Sequence, residues 1–131
     1  MAAERNKSAL FDDINHEKVE ELVSFFECRE TLADIINEYL KENNMSKAEF
    51  GRRILVDRST ISKILDGNPV SRITLINIYD ELHEHEPEMT LAYLFESAYP
   101  EVWVRSIAQE RGFTKEELDA VLILCGLDPT L

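Results

Sequence analysis

Residues 46–67, SKAEFGRRILVDRSTISKILDG, are punctuated densely enough to specify two short helices and the turn between them. Ser46, followed three residues later by Glu49, predicts a capping box: the hydroxyl accepts from the third helical amide and the carboxylate reaches back to the cap amide. Phe50 and Ile54 lie one turn apart on the inner side, and Gly51 beside them leaves room for a close neighbour. Val56 plugs the turn. Asp57 is a good N-cap for a second helix, in which Ile61, Ile64 and Leu65 recur at the spacing of one buried stripe. The opposite side of that helix carries Arg58, Ser59, Ser62 and Lys63, and Gly67, Asn68 and Pro69 supply its stop. A short helix with a polar, basic outer side, set against another helix by a tight turn, is shaped to enter a DNA major groove.

This segment resembles the helix-turn-helix of the Cro/cI-type (XRE-like) regulators over about residues 31–82. Upstream, LADIINEYLKENN resembles the family's first helix, and downstream Ser71, Thr74 and Leu75 match its S-x-x-T-L start to a following helix. The resemblance implies that Arg58, Ser59, Ser62 and Lys63 face base edges, with Thr60 at the margin, and that Arg58 and Lys63 suit guanine acceptors. It also implies that Lys47, Arg52, Asn68 and Arg72 flank the groove and meet phosphates. The family usually has Ala where Gly51 stands, Gly where Leu55 stands and Gln where Lys47 stands. The turn is therefore expected to adopt a backbone that a non-glycine residue tolerates at position 55. Lys47 is expected to contact phosphate rather than a base.

Net charge opposes this reading, because 26 acidic and 14 basic residues leave the chain at −12. The distribution answers it: residues 46–72 hold six basic residues (Lys47, Arg52, Arg53, Arg58, Lys63, Arg72) and three acidic ones (Glu49, Asp57, Asp66). That window stands at +3, and the remainder at −15. A basic patch on an acidic body can bind a duplex while the surrounding charge suppresses misoriented adhesion.

With 44% apolar residues, four Gly and four Pro in 131 residues, the composition is that of one or two small folded domains. No apolar run approaches a membrane span, and MAAERNKSALFDD has no signal-type hydrophobic region, so a cytoplasmic location is expected. Cys28 and Cys125 belong to no C-x-x-C pair, and reduced thiols, buried or half-buried, are expected.

No sustained alternation marks a strand, and the predicted class is all-α. Residues 12–28 form an acidic amphipathic helix with Ile14, Val19, Leu22, Val23, Phe25 and Phe26 on its apolar side. Whether it runs on through Leu32, Ile35, Ile36, Tyr39 and Leu40 as one helix or a kinked pair is left open by the sequence. After Leu82, HEHEPEM reads as a linker or loop. Short helices are then predicted over residues 90–98, 100–111 and 114–125, the last opening with a Thr114–Glu117 capping box and ending at Gly126. The segmentation expected is an N-terminal helical extension (1–30), a Cro/cI-like helix-turn-helix domain (31–86) and a small C-terminal helical module (87–131). That module holds more apolar surface than it can bury alone, so part of it is expected to pack on the first module or on a second chain. The resemblance to a family that reads half-sites in pairs implies that the tail, with or without the N-terminal helix, serves homodimerisation.

His83 and His85 are expected to be solvated rather than metal-bound. No phosphate loop, nucleophile elbow or paired-carboxylate pocket is discernible, so no catalysis, cofactor or metal is expected. The sequence predicts a DNA-binding transcriptional regulator, a repressor reading an inverted repeat of double-stranded DNA as a homodimer. The alternative is a helix-turn-helix scaffold acting mainly on a protein partner, as an antitoxin binding a toxin or an acidic mobile-element inhibitor binding a nucleic-acid enzyme.

Overall fold

The computed structural model describes residues 14–130, and those residues form helices and loops with no strand among them. The helices are α1 (His16–Glu27), α2 (Leu32–Glu42), α3 (Lys47–Ile54), α4 (Arg58–Leu65), α5 (Arg72–His85), α6 (Leu91–Ala98), α7 (Pro100–Glu110) and α8 (Lys115–Leu124). Residues 1–13, the first part of the expected N-terminal extension together with the predicted start of its helix at residue 12, lie outside the described residues.

Residues 14–43 contain two helices, not one. Thr31 ends the continuity: its hydroxyl accepts from the Asp34 amide at 3.2 Å, and the Asp34 carboxylate accepts from the Thr31 amide at 3.1 Å. This capping box satisfies two amides that a continuous helix would have paired internally.

The chain divides one residue from the expected boundary at 30, and its second division falls after Tyr99 rather than after residue 86. One unit is Glu30–Tyr99, and the other joins the described residues of Met1–Arg29 to those of Pro100–Leu131. In the Glu30–Tyr99 unit, Ile35, Ile36 and Tyr39 of α2, Phe50 and Ile54 of α3, Ile61 and Ile64 of α4, and Leu75, Ile78 and Leu82 of α5 make one core. Leu94 of α6 is fully buried in it. Two tyrosines pin this last segment: Tyr93 donates to Glu30 Oε1 at 2.8 Å, and Tyr99 donates to the Val70 carbonyl at 2.9 Å. Residues 91–99 thus complete the helix-turn-helix unit.

The stretch after Leu82 is not loop from its start, because α5 continues to His85. His83 stacks on Tyr79 with ring centroids 5.1 Å apart, and His85 sets its ring edge on Tyr39. Both histidines remain exposed, as the sequence suggested, with one side of each ring resting on a tyrosine.

In the other unit, α1, α7 and α8 surround Ile14, Val19, Leu22, Val104, Ala108, Ala120, Val121 and Leu122. The Thr114–Glu117 box is formed, and Glu117 does more than cap. Its Oε1 accepts from the Thr114 amide at 2.9 Å and its Oε2 from the Asn15 amide at 2.9 Å, so one carboxylate starts α8 and ties down the approach to α1. These two N–H donors hold the Glu117 carboxyl below the usual carboxylate range. The apolar tail is thus largely accounted for within the chain, part of it beside α5 and the rest against α1. Cys28 is exposed, against expectation, and Cys125 is half-buried.

Candidate nucleic-acid interface

Only half of the predicted Ser46–Glu49 box forms. The Ser46 hydroxyl accepts from the Glu49 amide at 3.1 Å, but the Glu49 carboxylate turns outward to Arg52 at 2.5 Å and Arg53 at 3.1 Å. Two cations at the i+3 and i+4 positions outcompete a neutral amide for the same carboxylate. Their hydrogen bonds and charge, those of Arg52 first, hold Glu49 below its ordinary titration range.

Arg53 also reaches Glu81 Oε2 at 3.2 Å, and Tyr39 donates to that oxygen at 2.5 Å. His85 Nδ1 stands 3.1 Å from the same phenol. Burial, and then the Glu81 hydrogen bond, push the Tyr39 hydroxyl above its ordinary value. This chain links α2, α3 and α5 and orients the helix-turn-helix. The sequence reading missed it. Its one signal is Glu81, an acid lodged between the core residues Ile78 and Leu82.

Position 55 departs from expectation. Leu55 has φ 66° and ψ 37°, the left-handed region that favours glycine, with its side chain 81% exposed. The Val56 amide donates to the Gly51 carbonyl at 2.8 Å, which closes α3 in a Schellman-type turn. The Asn77 amide group adds a hydrogen bond to the Ile54 carbonyl at 3.2 Å.

Asp57 caps α4, accepting from the Thr60 amide at 2.8 Å and the Ser59 hydroxyl at 3.0 Å. Ile61 and Ile64 are buried, whereas Arg58, Ser59 and Lys63 are exposed and Thr60 and Ser62 half-buried. α4 therefore presents Arg58, Ser59 and Lys63 together on an open side. At the far end the exposed Asn68 side chain donates one N–H to the Lys63 carbonyl at 2.9 Å and closes the helix, which leaves its second N–H for another acceptor.

Lys47 and Arg72 are exposed, at the starts of α3 and α5. Among the described residues, no carboxylate stands within salt-bridge distance of Lys47, Arg58, Lys63 or Arg72. Arg52 is engaged with Glu49, but the pair is solvent-exposed, contributes little to stability and can exchange for a phosphate.

A capped helix, a tight turn and a second short helix with a cationic outer side define a helix-turn-helix of the DNA-binding class. Residues 29–68 match the family model of the CENP-B N-terminal DNA-binding domain. The match spans α2, α3 and α4 and supports a DNA-binding helix-turn-helix function; it does not single out the Cro/cI type expected over residues 31–82. No curated protein and no solved structure matches the chain. Among the described residues, no helix is long and apolar enough to cross a membrane.

Proposed function

We propose that the chain is a sequence-specific transcriptional regulator of the cytoplasm, acting as a repressor that binds an inverted repeat as a homodimer. Arg58, Ser59, Ser62 and Lys63 read bases with Thr60 at the margin, and Lys47, Arg52, Asn68 and Arg72 set register on phosphates. The observation that carries this reading is the two-sidedness of α4: Ile61 and Ile64 anchor it while Arg58 and Lys63 stand in solvent without a carboxylate partner. A helix so held can enter a groove without rearranging the core.

Selection of bound fragments from a random duplex library, followed by a salt titration on the winner, tests it. With about three or four cationic contacts per half-site, log K against log salt should fall with a slope of about −5 to −7. Failure to select any duplex contradicts the reading.

A second reading, action on a protein partner such as a toxin or a nucleic-acid enzyme, is favoured by one specific feature. Burial and the neighbouring Glu42, Glu88, Glu38 and Glu30 raise the Glu86 carboxyl above its ordinary range. That concentration of negative charge suits a cationic partner. Tight capture of such a partner by a chain that selects no duplex would favour this reading over the first.

A further inference from the structure

The most exposed aliphatic side chains of the Glu30–Tyr99 unit lie outside the α4 face. Leu55 is 81% exposed, Ile73 74% and Ile76 46%. Ile73, Ile76 and Asp80 fall on one side of α5 by helical spacing. Leu55 joins that side through a cleft lined by Arg53, Leu55, Asn77, Asp80, Glu81 and Glu84. Large aliphatics gathered at this exposure mark an interaction surface.

The charges along the strip identify its occupant. Read from its N-terminus, the outer side of α5 runs Arg72, Ile73, Ile76, Asp80, Glu84: cationic at one end, apolar in the middle, anionic at the other. An antiparallel copy of the same helix is its electrostatic complement. A two-fold axis through Ile76 sets Arg72 of each copy opposite Asp80 of the other and packs the isoleucines between them. The positive N-terminus of each α5 then lies beside the negative C-terminal part of its twin. Of the exposed aliphatics outside this strip, Leu91 stands alone on α6, and Ile123 and Leu124 lack this property, because α8 carries Glu116, Glu117 and Asp119 against Lys115 alone and would meet itself acid to acid.

We infer that the outer side of α5, widened by Leu55, is the surface through which two copies of this chain pair. The inference rests on the homodimeric reading above and relocates its contact from residues 87–131 to α5. Arg72 stands where this surface meets the phosphate-facing edge. The patch is small, so pairing belongs to the weak, reversible class and is reinforced when both copies occupy one duplex.

Sedimentation of the full chain over a dilution series tests the inference. The wild type should approach about 30 kDa, twice the 15.1 kDa of one chain. Ile73→Ser with Ile76→Ser should weaken pairing at least about tenfold, while Ile123→Ser with Leu124→Ser leaves it unchanged. Asp80→Arg should disrupt pairing, and adding Arg72→Asp should restore it, a recovery that a misfolded variant cannot give. A wild type that stays monomeric overturns the inference, as does loss of pairing in the α8 variant alone. Binding of a single half-site by the Ile73→Ser, Ile76→Ser protein is scored separately, so a failure of pairing is distinguishable from a failure of DNA binding.

Discussion

A methyl group on residue 51 would sit 2.7 Å from the Val56 carbonyl oxygen, closer than real Cβ contacts come, so Gly51 is the residue that lets α3 and its turn close on each other. The obstructing atom is backbone and cannot rotate away. Gly51→Ala should therefore lower stability by about 1–3 kcal/mol through overpacking, although alanine is the better helix former. Chemical denaturation would show the midpoint falling; a rise would mean the turn relaxes freely.

Four residues on, the preference reverses. Leu55 occupies a left-handed conformation and buries little, so Leu55→Gly should release strain and stabilise the unit by about 1 kcal/mol. Thermal unfolding measures the gain. A lower midpoint would show that the exposed leucine contributes more than its backbone costs.

Tyr39→Phe removes the donor to Glu81 inside the α2–α3–α5 network. The loss expected is about 1–3 kcal/mol, since a buried carboxylate oxygen loses a partner. The native Tyr39 hydroxyl is pushed above its ordinary 10.0, so on raising pH the unfolded chain ionises first and native stability falls. That alkaline fall should be shallower in the Phe variant, as read from denaturant midpoints across pH. An identical slope would dissociate Tyr39 from it.

How much of this was readable beforehand depended on range. Local punctuation was legible: Ser46, Asp57, Ser71 and Thr114 all cap helices. So was the inward stripe of α4. The Thr31–Asp34 box was equally local and was overlooked because Asp stands where Glu or Gln is the familiar partner. The missing glycine at position 55 pointed to a backbone that a non-glycine residue tolerates, but the turn keeps its left-handed conformation with Leu55 in it. Which partner buries each apolar residue of the tail was not legible, because Leu94 and Val104 have similar surroundings in sequence and enter different cores. Glu81 and Glu117 acquire their tasks from residues 42 and 102 positions away.

Glu117 makes the α1–α7–α8 unit acid-sensitive. Its folded carboxyl titrates below the unfolded one, so its contribution is present above the ordinary carboxylate value of 4.5 and is lost as pH falls through the lower folded value. Glu117→Gln should be less stable at neutral pH, because an NH2 would face one of the two backbone donors, and its stability should change less with acid. Unfolding followed from neutral pH into the acid range checks both; equal slopes would assign the acid transition elsewhere.

The central claim, that the outer side of α4 reads DNA, is tested most directly by measuring Arg58→Ala, Lys63→Ala and Lys47→Ala on a selected duplex and on its single-base variants. Each of the first two should cost about 1–3 kcal/mol and relax specificity at one base pair per half-site, whereas Lys47→Ala should weaken all sequences alike and, by removing one phosphate contact from each half-site, reduce the salt slope by about 2. Undiminished, sequence-selective binding by Arg58→Ala and Lys63→Ala would contradict the account.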